Sequence, residues 1–103
     1  VGMQGREREL LELFDRQGAK CTYTGETLTL GDAARDNRHA ASSLDHIMPK
    51  ARGGTDTIEN LHWVSWAVNQ AKAHSTHDEF VDMCTKVANV AEDKRLFEKM
   101  GAI

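Results

Sequence analysis

The sequence predicts an α+β fold, and three observations carry that expectation. Two short alternating segments, Ser43 to Ile47 and Asn60 to Ser65, bracket a loop that contains Gly53-Gly54. Helix-compatible residues, Trp66 to Ala73, follow the second segment directly, which gives the order strand, loop, strand, helix. Helical patterns flank this unit on both sides. At 103 residues, 40% hydrophobic and 28% charged, the chain has material for a single domain with a modest core. That domain is expected to span 1–103, with its core motif at 43–73 and helical flanks at 3–17 and 76–100.

Each element has a local reason. From Met3 to Arg16, Leu10, Leu13 and Phe14 fall at i, i+3, i+4 among Glu and Arg, and Gly18 suits the position just past a helix end. Cys21 to Leu30 alternates around Thr24-Gly25-Glu26 and reads as a short hairpin. Gly31 to Ala41 is polar and mixed in charge, so it reads as a loop carrying Arg35, Arg38 and His39 to the surface. Pro49 cannot donate to a sheet ladder and stops the first strand of the motif. Thr76-His77-Asp78-Glu79 has the form of a capping box, after which Phe80, Met83, Cys84, Val87, Ala88 and Ala91 mark one face of a long helix.

Bulk properties narrow the setting. No apolar run approaches the roughly 18 residues of a membrane span, and no signal-peptide pattern opens the chain, so a cytoplasmic protein without membrane contact is expected. The start Val1-Gly2-Met3 fits a natural start at Met3 or a domain taken from a longer protein. Two cysteines 63 positions apart suit neither a metal pair nor a secreted disulfide framework, and both are expected reduced and buried. Net charge is −3, which alone disfavours a nucleic-acid partner, yet residues 35–74 sum to +1 while each flank sums to −2. A bound cation would make the motif more positive still.

The motif places an acid, an imidazole and two carboxamides in order: Asp45, His46, Asn60 and Asn69. Phosphodiester hydrolysis needs a deprotonated water, charge stabilisation on phosphoryl oxygens and help for the leaving alkoxide. Histidine is the natural base near neutral pH, which makes His46 the candidate. A hard cation such as Mg²⁺ takes one or two protein oxygens plus waters and phosphate, and Asp45 with the amide oxygen of Asn69 fits that short set. Adjacent strand residues point to opposite faces, so Asp45 and His46 can serve one site only where the strand ends or bulges.

Ser43-Leu44-Asp45-His46-Ile47-Met48-Pro49, Gly53-Gly54, Glu59-Asn60-Leu61 and Asn69-Gln70-Ala71-Lys72 together resemble the HNH endonuclease family, whose core is a ββα-metal (His-Me finger) unit. A looser match reaches back to Cys21-Thr22-Tyr23-Thr24-Gly25 and forward to Glu79-Phe80. The resemblance implies Asp45 and Asn69 as ligands of Mg²⁺ or Mn²⁺, His46 as general base and Asn60 as support for the base and its loop. It further implies DNA cleavage by one metal, leaving a 5′ phosphate and a 3′ hydroxyl. Many such proteins carry a structural zinc on two Cys-x-x-Cys pairs; here those positions read Cys21-Thr22-Tyr23-Thr24 and Ser65-Trp66-Ala67-Val68, so no structural zinc is expected. Packing by Trp63, Trp66 and Val68 is expected to hold the loop instead.

Lys50 and Arg52 flank the catalytic strand and are the first candidates for phosphate contacts with duplex DNA, which would position the duplex without reading its sequence. Lys72, three residues after Asn69, could face the same phosphate or simply be solvated. Arg38 and His74 are further candidates. His62 reads equally as a surface residue or a second phosphate contact, and His77 as surface only. One such site cuts one strand per visit, so a double-strand cut would need a homodimer, successive nicks, or a larger parent protein or complex. The rival reading is a non-catalytic nucleic-acid-binding module of the same fold. A phage, mobile-element or bacterial-host setting suits a small chain of this kind.

Overall fold

A computed structural model of the chain describes residues 5–101. The elements run α1 (Glu7–Arg16), α2 (Gly31–Asp36), β1 (Ser42–His46), β2 (Leu61–Ser65), α3 (Trp66–Lys72) and α4 (His77–Lys99), an α+β arrangement with helices at both ends of a two-stranded sheet. Residues 3 and 4 of the expected first helix lie outside the described residues.

The sheet is antiparallel, with Ser42 opposite Ser65, Asp45 opposite His62 and His46 opposite Leu61. β2 runs straight into α3 because Ser65 closes the turn: its Oγ accepts from the Val68 N–H at 3.1 Å. The core gathers Phe14, Cys21, Leu28, Val64, Val68 and Phe80, with Ala19, Tyr23 and Trp63 packed against it. α1 contributes Phe14, whose ring meets the edge of Trp63 at 5.5 Å, and it grips β2 through Gln17, which donates to the Trp63 carbonyl and accepts from its N–H.

Three expectations change. The Cys21 to Leu30 hairpin is a tight turn with a single bridge, Lys20 to Thr27, while Thr29 instead bridges in parallel to Ala41 beside β1. Backbone bonds from the Cys21 N–H to Glu26 and from the Leu28 N–H to Ala19 hold the turn, and too few residues remain for strands. Gly31 to Ala41 is not an irregular loop: it forms α2 and a 3-10 turn at Arg38–Ala40, an outcome that its mixed charges hid. Finally, α4 keeps its capping box, with Thr76 accepting from the Glu79 N–H and Glu79 from the Thr76 N–H, but Phe80 is its one buried residue. Met83 and Val87 are 45% and 65% exposed, so the apolar face continues past the body it was expected to pack on. Cys84, expected to be buried, is therefore exposed on that face.

The segments that would carry the zinc pairs touch directly. Cys21 is buried, and its Sγ accepts from the Ser65 N–H at 3.4 Å. Burial would push the Cys21 thiol up, but hydrogen bonds around it, led by Thr24, bring it below its ordinary value.

Candidate active site

β1 ends at His46, and there the alternation of the strand sends its last two side chains to different surroundings. Asp45 turns inward and is 3% exposed. Its Oδ2 accepts from His62 Nε2 at 2.6 Å and its Oδ1 from Lys72 Nζ at 3.1 Å. His46 is only partly covered, and its Nε2 lies 2.7 Å from Oδ1 of Asp56 in the loop between the strands. Both residues nonetheless line one cavity of about 210 Å³, together with Leu44, Pro49, Lys50, Asn69 and His74. The strand end thus lets neighbours of opposite direction serve one site.

The loop is held by a single carboxamide. Asn60 Oδ1 accepts from the Met48 N–H at 2.8 Å, while its Nδ2 donates to the carbonyls of Met48 at 3.0 Å and Thr55 at 2.8 Å. The Ile47 N–H donates to the Asn60 carbonyl at 2.8 Å. Asn60 therefore fixes the backbone just after His46 to the backbone just before Asp56, rather than touching the cavity. Gly54 has a matching reason: a Cβ there would sit 1.7 Å from the Met48 carbonyl oxygen. Only glycine lets the two backbones approach so closely.

Asn69 is aimed by its own hydrogen bonds. Its Nδ2 donates to Ser43 Oγ at 2.6 Å and to the Leu44 carbonyl at 3.0 Å, which leaves Oδ1 without a partner among the described residues and not buried. The oxygen groups that line the cavity are thus a carboxylate, Asp45, whose two oxygens also accept from His62 and Lys72, and an amide oxygen, Asn69. No group of three or more His, Cys, Asp or Glu among the described residues could hold a metal ion. A two-oxygen set fits a hard divalent cation that keeps most of its waters, and it does not fit a soft metal that needs sulfur or several imidazoles.

Of the residues expected to meet phosphate, Lys72 stands apart. It is fully buried, and besides Asp45 its ammonium donates to the carbonyl of His46 at 2.9 Å and, more weakly, of Ile47 at 3.4 Å. An ammonium so enclosed offers nothing to a DNA backbone; it is the internal counter-ion of Asp45. Lys50 and Arg52 are exposed, and each holds an acid, Asp56 Oδ2 at 2.9 Å for Lys50 and Glu79 for Arg52. Such exposed pairs are worth little, so a phosphate can compete for Arg52, and the Lys50 ammonium has donors to spare beside Asp56. His74 is exposed at the cavity rim. Arg38 lies over the Trp66 ring, 4.7 Å from its centroid, and does not line the cavity.

Two residues of the site were not assigned by sequence reasoning. Asp56 holds His46 and Lys50, and its carboxyl is kept below the usual range by Lys50 first and His46 second. Its signal was an acid within the Gly-Gly loop, meaningful only once that loop folds back. His62, read as surface or phosphate contact, is instead buried and bonded to Asp45; the strand register, which pairs the two, was the signal. Tyr23 packs edge-on to His62 at 5.2 Å, and its hydroxyl is pushed up to about 12 by burial and by the charge of Asp45.

A second, larger hollow of about 500 Å³ lies between α4 and the body, lined by Tyr23, Val68, Phe80, Val81, Cys84 and Ala88 among others. It is apolar and holds none of Asp45, His46, Asn60 and Asn69, so volume does not decide where the chemistry lies.

Comparison with known proteins places the chain by its sequence. A family model described as HNH endonuclease matches residues 21–77. The CRISPR-associated endonuclease Cas9 1 of Streptococcus thermophilus is 29% identical over 72 residues, 70% of this chain but only 6% of that much longer protein.

Proposed function

Since this chain belongs to the HNH endonuclease family, we propose that it is an active, metal-dependent nuclease that hydrolyses DNA phosphodiester bonds, with His46 as general base. The observation that carries this reading is the state of the His46 ring. Its Nε2 is fixed by Asp56, while its Nδ1 has no partner among the described residues and is not buried, at the wall of a cavity that Asp45 and Asn69 also line.

Asp45 and Asn69 would hold Mg²⁺ or Mn²⁺, which when bound supplies positive charge to the phosphoryl oxygens and to the departing 3′ oxygen. The remaining work falls to the chain. His46 takes the proton of the attacking water, and Asn60 keeps the His46 strand end and the loop at a constant separation. Lys50, Arg52 and His74 hold the DNA backbone near the cavity, Lys50 through the ammonium donors that Asp56 leaves over and Arg52 by exchanging Glu79 for phosphate. A 5′ phosphate and a 3′ hydroxyl are the products of attack on this side. Duplex DNA is the substrate we favour, one strand being cut per visit.

Plasmid nicking with and without EDTA, comparing wild type with His46→Ala, tests the reading. Nicking by the wild type that EDTA abolishes is expected, with a loss of about 10²- to 10⁴-fold in His46→Ala. Equal nicking by the variant would remove His46 as base. Asn69→Ala is expected to weaken Mn²⁺ binding in calorimetry, and unchanged affinity would remove Asn69 as ligand.

A further inference from the structure

His46 is bonded to Asp56, a residue outside the Asp45, His46, Asn60 and Asn69 set. Resting on the reading of His46 as base, we propose that Asp56 is a positioning residue for cleavage: its carboxylate keeps the His46 proton on Nε2 and so leaves the Nδ1 lone pair for the attacking water.

An ionised carboxylate only accepts, so the 2.7 Å contact between Asp56 Oδ1 and His46 Nε2 requires the ring proton on Nε2. Asp56 stays ionised because Lys50 Nζ donates to its other oxygen at 2.9 Å. A neutral ring with Nε2 protonated has its acceptor at Nδ1, the nitrogen that has no partner among the described residues and is not buried.

The carboxylate is placed by more than its own side chain. The Arg6 guanidinium, from the residue before α1, donates to the Asp56 carbonyl. Asn60 holds the Thr55 carbonyl on one side and both polar backbone atoms of Met48 on the other. The loop backbone beside Asp56 and the strand end beside His46 are therefore fixed against each other. Orientation of this kind is what a general base needs from its third group.

In the step itself, the water oxygen forms a bond to phosphorus and its proton passes to Nδ1. The bond from phosphorus to the 3′ oxygen breaks, its electron pair leaves on that oxygen, and a solvent proton completes the hydroxyl. Nε2 keeps its proton throughout, and the imidazolium that forms is held by the negative charge of Asp56.

The first measurement needs no variant. Long-range ¹H–¹⁵N correlation spectra of the wild-type protein at neutral pH read the His46 tautomer, and Nε2–H is expected; an Nδ1–H ring overturns the proposal. The second is single-turnover plasmid nicking alongside DNA affinity by fluorescence anisotropy. In Asp56→Asn, Lys50 claims the amide oxygen and turns the amide N–H toward Nε2, which favours the opposite tautomer. The cleavage rate is expected to fall about 10- to 100-fold with DNA affinity within about twofold, and Asp56→Glu to recover part of the rate. Wild-type rate in Asp56→Asn, while His46→Ala is inactive, overturns the role of Asp56 and spares the base. Undiminished nicking by His46→Ala overturns the base reading itself. A purely structural Asp56 would show lowered thermal stability with the tautomer and the rate unchanged, which also overturns the proposal.

Discussion

Lys72 Nζ and Asp45 Oδ1 meet at 3.1 Å with side-chain exposures of 0% and 4%, so the residue assigned to metal is also half of a buried ion pair. Such a pair adds little net stability over an apolar replacement, but removing one partner strands the other charge. Lys72→Met is expected to lower stability by about 3 kcal/mol or more in urea denaturation. Adding Asp45→Asn should recover part of that loss. A change below about 1 kcal/mol in the single variant would mean that water reaches Asp45.

Gly54 and Gly53 separate close approach from backbone conformation. Gly54→Ala forces a Cβ against the Met48 carbonyl, where the unshifted distance is 1.7 Å, and overpacking of this kind costs about 1–3 kcal/mol. Gly53→Ala meets open space and has only its positive φ of +96° to contend with, so a loss near 1 kcal/mol is expected. The comparison is made by thermal unfolding, and equal losses would show that the loop can move away from Met48.

Thr76→Ala removes the side-chain cap of α4 and should cost about 1 kcal/mol. Because α4 meets the core through Phe80, the loss should appear first as reduced helicity by circular dichroism. Cleavage should be unaffected.

The loop should respond to acid in a defined direction. Asp56 is held below its ordinary value of 3.8, so the stability it contributes is present above that pH and is lost as pH falls through the lower folded value. Glu79, lowered by the Thr76 N–H first and Arg52 second, adds a contribution of the same sign, complete above 4.5. A carbon-detected titration of the Asp56 carboxyl should give a midpoint below 3.8. A midpoint at or above that value would contradict the pairing of Asp56 with Lys50 and His46.

The two thiols should differ in reactivity. Cys21 has a lowered pKa but is 2% exposed, whereas Cys84 is exposed on α4. Access decides here, because a thiolate that reagent cannot reach does not react. Ellman's reagent should label Cys84 quickly and Cys21 only on unfolding, which liquid chromatography and mass spectrometry can resolve.

What was legible in the sequence was local. Strand ends, the Ser65 cap that continues into α3 and the Thr76 capping box are written in neighbouring residues, and the order of Asp45, His46, Asn60 and Asn69 carried the family. What depended on chain reversal was not legible. Asp56 is ten positions from His46, and only the closed loop brings them to 2.7 Å. Lys72 looked like a surface cation because lysine is rarely buried, and its enclosure followed from Asp45 turning inward. The apolar pattern of α4 named a face that could be covered without saying whether anything in this domain covers it.

The three hydrogen bonds of the Asn60 side chain act as a latch across the loop. His46 and Asp56 sit on opposite leaves of that latch, so neither can drift alone while it is closed. A break at Asn60 would release both together, and its effect on cleavage should overlap with the effect of losing Asp56 rather than add to it. Base and carboxylate are in this sense a single hinge-bound unit.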